Sequence, residues 1–223
     1  MTDRLLRFAL AWAPLAFAAA LCLAPPAAEA HPHVFVDGKA EILFDAQGRV
    51  SGVRNIWIFD KQFSDIAIEG LDKNRDGKLD ADELKPLAKI NVESLKEYDY
   101  FTFVTFEKKL ETFGEATDYH LEYRDKRLTL FFTLPLKEPR AQASSVAVQV
   151  FDPEYFVAFT FPKEAPVRLV GAPRGCRGTY QAPHELDAQT LTALAAIPAG
   201  QRDLPRALAA AAVGLAHSFA IAC

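Results

Sequence analysis

Val34-Phe35-Val36-Asp37-Gly38-Lys39-Ala40-Glu41-Ile42-Leu43-Phe44, then Asp45-Ala46-Gln47-Gly48-Arg49, then Val50-Ser51-Gly52-Val53-Arg54-Asn55-Ile56-Trp57-Ile58-Phe59 is the stretch that decides the fold. Val34-Phe35-Val36 and Glu41 to Phe44 precede an Asp45-Ala46-Gln47-Gly48 turn and Val50 to Phe59 follows, so His33 to Phe59 reads as strand-like. Residues 61–98 change character. Phe63, Ile66, Ala67, Gly70 and Leu71 share one helical face, as do Leu84, Leu87, Asn91, Leu95 and Tyr98. Pro86 is tolerable in the first turn of the second helix, where its missing N–H loses little.

Strand character resumes at Phe101 to Phe106 and continues through Tyr119 to Tyr123 and Leu128 to Leu134, with Arg124 to Arg127 as the turn between the last two. Val146 to Phe151 and Tyr155 to Phe161 read as a hairpin joined through Asp152-Pro153-Glu154, and a short strand follows near Val167 to Val170. From Asp187 the chain is Ala/Leu-rich and predicts two helices divided by Pro198-Ala199-Gly200. The expected fold is α+β: antiparallel β-sheets, an EF-hand-like helix–loop–helix inserted at 60–98, and a helical C-terminal tail at 185–223.

The first thirty residues read as a leader outside the fold. Arg4 and Arg7 precede the apolar stretch Phe8 to Leu23, and Ala28-Glu29-Ala30 offers a signal-peptidase site. Cleavage there leaves one periplasmic domain, 31–223, with no membrane span. It removes Asp3, Arg4, Arg7 and Glu29, so the net charge stays at -4. A mildly acidic chain without a basic run is not a nucleic-acid binder. Cys176 and Cys223 then remain, an even pair in an exported chain. Without CxxC spacing they read as a disulfide rather than a soft-metal site or two free thiols.

Asp72-Lys73-Asn74-Arg75-Asp76-Gly77-Lys78-Leu79-Asp80-Ala81-Asp82-Glu83 fits the twelve-residue calcium loop. Asp72, Asn74 and Asp76 supply side-chain oxygens, and Lys78 supplies a carbonyl. Asp80 acts through water, Glu83 binds with both oxygens, and Gly77 permits the sharp turn. One loop alone makes calcium a structural ligand rather than a cooperative signal.

Cleavage after Ala30 would give His31 a free α-amine beside its imidazole. That chelate, completed by His33 or Asp37, suits nickel, cobalt, zinc or copper. Pro32 has no amide hydrogen, which rules out the square-planar amino-terminal clamp. His120 and His184 are possible further ligands, for instance in a copper histidine brace. His217 is expected to pack on an apolar tail helix. Asp60 and Asp152 read as strand-end and turn residues. No GxSxG, HExxH, CxxC, P-loop or Rossmann fingerprint appears.

Several segments together resemble a known family: His31 to Asp37, Trp57 to Asp60, the calcium loop, Glu97-Tyr98-Asp99-Tyr100-Phe101-Thr102, Leu128-Thr129-Leu130, Phe151-Asp152-Pro153-Glu154-Tyr155-Phe156, and Cys176. The chain resembles the periplasmic proteins grouped as DUF1007, over the mature region to about Pro183. That resemblance implies the periplasmic component of a transport system, with an inner-membrane nickel/cobalt-type permease as partner. It brings no catalytic residues. The expectation is a non-enzymatic accessory protein for transition-metal transport, stabilised by calcium. The alternatives are a calcium-stabilised protein-interaction module without a transition-metal role, and a copper histidine-brace enzyme.

Overall fold

The computed structural model describes residues 32–141, 146–198, 201 and 204–223. The expected leader, His31 and Ala199-Gly200 lie outside the described residues. Strands β1 (Val34–Phe44) and β2 (Val50–Phe59) pair antiparallel, with Val36 opposite Phe59 and Ile42 opposite Val53. The predicted turn is present. Asp45 Oδ1 accepts from the amides of Gln47 (3.0 Å) and Arg49 (2.8 Å), and Gly48 takes φ +72°.

Two short helices and a 3-10 segment separate these strands from the next. Helix α1 (Lys61–Ala67) starts at Asp60, whose Oδ1 accepts from Phe63 N and whose Oδ2 accepts from Phe35 N, both at 2.9 Å. One carboxylate thus caps the helix and ties it to β1. Helix α2 (Ala81–Leu95) opens with a capping box between Asp80 and Glu83 and buries Leu84, Ala88 and Val92. Pro86 is the sixth residue of α2, past the first turn expected for it, so the Asp82 carbonyl loses its helical donor. Lys96–Phe101 then forms the 3-10 segment, whose last three residues take φ of 50°, 53° and 47°.

The remaining strands are β3 (Thr102–Phe106), β4 (Lys109–Leu110), β5 (Thr117–Arg124), β6 (Arg127–Arg140), β7 (Val146–Val150), β8 (Val157–Thr160), β9 (Val167–Val170), β10 (Arg177–Gln181) and β11 (His217–Ala222). The first sheet runs β5-β6-β2-β1-β8, and β9 continues the β8 edge along β1; the second runs β10-β11-β7-β3-β4. Inward residues alternate along each long strand: Leu128, Leu130, Phe132 and Leu134 on β6, and Val146, Val148 and Val150 on β7. Residues of both sheets join one apolar core. Trp57 lies within it, edge-on to Phe132 at 4.9 Å between ring centroids. Helix α2 packs across β5.

Two expectations are corrected. The chain leaving β7 does not turn back as a hairpin: β8 joins the other sheet, parallel to β1, with Val34 opposite Val157. Both edges of β7 are already taken, by β3 and β11. Among the described residues the tail is helical in α3 (Ala188–Ala195) and α4 (Arg206–Gly214) alone, and β11 follows. His217 is therefore a strand residue. It alternates inward with Phe219 and Ile221, and this pattern suits the open edge of β7 better than a helix. Cys176 and Cys223 form a disulfide beside the ends of β10 and β11. Among the described residues no helix is long and apolar enough to cross a membrane.

Candidate functional site

Five of the seven segments that carried the family resemblance, all but the loop 72–83 and Cys176, come together around a cavity of ≈ 270 Å³. Val36 comes from β1, Trp57 from β2, Phe101 from the 3-10 segment, Leu130 from β6 and Phe156 from the loop after β7. Helix α2 lines the cavity with Asn91 and Leu95. One of its walls is held at a conformational cost. Asp99, Tyr100 and Phe101 are consecutive left-handed residues, at about 1 kcal/mol or more each. The other wall is shaped by Asp152, whose Oδ1 accepts from Glu154 N and whose Oδ2 accepts from Phe156 N and Val157 N, all at 2.8 Å. Asp60 stands at the end of β2 and Asp152 holds a turn, as the sequence suggested.

His33 sits beside this cavity. Its amide donates to Phe156 O (2.9 Å), and its ring packs on Phe156 at 4.8 Å between centroids. Asp37 shares the outward face of β1 but lies four residues on, about 13 Å along a strand. There it pairs with Arg127 Nη2 (2.7 Å) and accepts from Thr160 Oγ1 (2.7 Å). Burial opposes its ionisation, but these two partners outweigh that and hold its pKa below the usual carboxylate value. The structure does not bring Asp37 to His33. Nor does it bring His120, which lies three strands across, about 14 Å at ordinary strand spacing, and level with Lys39. His120 stacks on Phe131 at 4.5 Å. His184 donates its amide to Gly214 O (3.0 Å). Among the described residues no group of three or more His, Cys, Asp or Glu converges as a metal cluster.

The loop 72–83 is organised by its own carboxylates. Asp72 Oδ2 accepts from Gly77 N (3.0 Å), Asn74 Oδ1 from Asp76 N (2.9 Å), and Asp76 Oδ1 from Lys78 N (2.8 Å). Glu83 reaches back from α2, with Oε1 accepting from Lys73 N at 2.9 Å and Oε2 from Asp80 N at 3.3 Å. Gly77 takes φ +77°, as the sharp turn demands. Leu79 packs against the core. Helix α1 ends before the loop begins, at Ala67, with Gly70 in the left-handed region between them.

A second polar group was missed at the sequence level. His217 Nε2 donates to the Phe159 carbonyl (2.9 Å), since a carbonyl oxygen only accepts, and Nδ1 then accepts from Tyr180 O–H (2.8 Å). Burial pushes the imidazole pKa below 6.5, against a smaller opposing effect of the Phe159 bond. As pH falls, the unfolded chain takes up this proton before the folded one. The stability from neutral His217 is therefore complete above about pH 6.5 and is lost as pH drops toward the folded pKa. We expect the melting temperature of the wild type to fall more steeply below pH 6.5 than that of His217→Gln. Parallel curves would contradict this.

A two-sheet α+β fold with an apolar cavity and a carboxylate-rich loop is thus defined. The chain belongs to the family described as Protein of unknown function (DUF1007), whose model matches residues 16–223. The match includes the Ala-rich tail, beyond the Pro183 limit of the resemblance. An uncharacterised protein of Haemophilus influenzae is 22% identical over 158 residues, 70% of this chain and 74% of the relative. An uncharacterised 15.5 kDa protein from the trpE 3′ region of Spirochaeta aurantia is 35% identical over 99 residues, 44% of this chain and 70% of the relative.

Proposed function

We propose that this is an exported, non-enzymatic accessory protein for transition-metal transport, held in shape by one calcium ion. The observation that carries the reading is the donor set of the loop 72–83. Asp72, Asn74, Asp76, the Lys78 carbonyl, Asp80 and Glu83 are all oxygen donors around a left-handed Gly77, and such a set suits a hard, large cation. These residues fit calcium, which would fix the insertion that carries α2 and hence the Asn91 wall of the cavity. The side chains must converge from their present hydrogen bonds to do so.

At a dissociation constant of about 10⁻⁴ M, calcium at about 2 mM adds roughly 2 kcal/mol of stability by mass action. That corresponds to a rise in melting temperature of about 5 °C for a domain of this size. Glu83→Gln, which removes the bidentate carboxylate, is expected to abolish the rise. An unchanged melting curve in calcium against chelator would sink the calcium assignment.

The transition metal would be held by the α-amine and imidazole of His31 with His33, once the leader is removed. Nickel, cobalt, zinc and copper are the candidates, and the proposed partner is an inner-membrane permease. Metal stoichiometry on processed protein, against His31→Ala/His33→Ala, tests the site. Equal uptake by both proteins would remove it. A second reading, a calcium-stabilised interaction module without a transition-metal role, draws on the Arg127–Asp37 ion pair, which ties up one expected ligand. It predicts that calcium raises the melting temperature while transition metals change nothing specific.

A further inference from the structure

The cavity of ≈ 270 Å³ is larger than close packing leaves by default. Native interiors hold few spaces bigger than a water molecule, because every lining atom beside such a space forfeits dispersion contacts. Small residues are not its cause. No Gly or Ala is among the described lining residues, whereas Trp57, Phe59, Phe63, Tyr98, Phe101 and Phe156 are. Rings big enough to fill the space stand around it instead. They brace one another: Trp57 and Phe101 lie 6.3 Å apart between centroids, and Tyr98 stacks on Phe101 at 5.5 Å. The left-handed backbone of Asp99 to Phe101 holds that wall in place. Nearby polar atoms are turned away or engaged. Trp57 Nε1 and Asn91 Nδ2 are buried beyond the reach of a molecule in the cavity, and both Asp152 oxygens accept from backbone amides.

We propose that this cavity binds an apolar aromatic molecule, held by hydrocarbon contact with the surrounding rings rather than by hydrogen bonds. Volume and walls set the class. A cavity of about 150 Å³ takes one benzene ring, so this one takes roughly eleven carbon atoms. Val36 and Leu130, inward residues of β1 and β6, add aliphatic surface to the rings. An aromatic body gains contacts with those rings beyond the area it buries, worth about threefold in affinity over an alkyl body of equal size. A carboxylate or ammonium set against Trp57, Phe101 and Leu130 would exchange water for hydrocarbon, so the buried body is uncharged. The backbone at Asp99 to Phe101 fits this role, because relaxing it would withdraw Phe101 from the wall. The proposal is independent of any metal at His31 or in the loop 72–83.

The test uses three probes of nearly one size on the full chain, by calorimetry and by the indole resonances of Trp57. Isopropylbenzene is apolar and aromatic, isopropylcyclohexane is apolar without an aromatic ring, and 2-phenyl-2-propanol adds one hydroxyl to the first. Isopropylbenzene is expected to bind about threefold tighter than isopropylcyclohexane. It should bind roughly tenfold tighter than the alcohol, whose hydroxyl leaves water without a partner. Its ring should also shift the Trp57 indole resonances. Val157→Phe adds a ring from a lining position and should abolish isopropylbenzene binding, whereas Phe156→Ala removes one wall and should weaken it roughly fivefold. If Val157→Phe fails to fold, Phe156→Ala and the wild-type ranking still decide. No binding by any probe overturns the proposal. So do a preference for the alcohol, equal affinities for isopropylbenzene and isopropylcyclohexane, or isopropylbenzene affinity unchanged in a folded variant.

Discussion

Replacing Cys176 and Cys223 together by serine is expected to cost about 4 kcal/mol of stability and to lower the melting temperature by about 8–16 °C. The bridge spans a sequence separation of 47 residues, and closing a loop of that length accounts for the estimate through the entropy of the unfolded chain. Outside β11, the enclosed segment is lightly packed. Helices α3 and α4 bury fully only Leu194 and Ala212 between them. Strand β10 pairs with β11 alone, so the β10–β11 edge depends on the clamp at its end. Thermal and urea melts of the double variant, against oxidised wild type, measure the effect. Hydrogen exchange should show the amides of β10 opening first. A melting temperature within about 2 °C of wild type would show that the folded edge does not depend on the bridge.

What the sequence made legible divides along physical lines. The alternation of β1, β2 and β6 was readable because each strand has one buried face, and a period of two survives in the residues themselves. The Asp45 to Gly48 turn was readable because its chemistry is local. The β7–β8 connection was not. Asp152-Pro153-Glu154 has a turn's composition, but where the turn sends the chain depends on the filled edges of β7, a tertiary fact. Strand β11 was hidden by composition, since Ala-rich sequence favours helix. The alternation of His217, Phe219 and Ile221 was the signal available, and an open sheet edge overrode the local preference.

The candidate site shows the same division. The loop 72–83 is legible because its ligands are consecutive and their spacing is the motif. The cavity is not, because each wall residue taken alone is an ordinary core hydrophobe. Trp57 reads as core, and most of it is core. Its N–H is buried with no acceptor packed against it. Asn91 was visible on the apolar face of α2 and could have been singled out there. The geometry also changes the weight of the terminal histidines. His33 lies against Phe156 at the cavity rather than beside Asp37, so the amino-terminal end of β1 and the cavity are neighbours.

Asp152→Ala is expected to destabilise the protein by about 3–5 kcal/mol and to loosen the Phe156 wall of the cavity. The carboxylate is buried, at 4% exposure. It accepts from three backbone amides within five residues, those of Glu154, Phe156 and Val157. Alanine leaves all three without that acceptor in a loop that passes between the two sheets, and each lost charge-assisted bond costs about 1–2 kcal/mol. The loop also sets Phe156 against the cavity and His33, and it feeds β8 into register with β1 at Val34. Losing it should loosen both the wall and that edge. Asp152→Asn keeps one oxygen acceptor but turns an N–H₂ toward amides that need an acceptor, so it should lose about half as much. Urea denaturation of the two variants measures the ordering, with hydrogen exchange of the Phe156 and Val157 amides as the loop readout. If Asp152→Ala were no less stable than Asp152→Asn, the carboxylate would not be what holds the loop. The cavity wall would then have to be maintained by the packing of Phe156 alone.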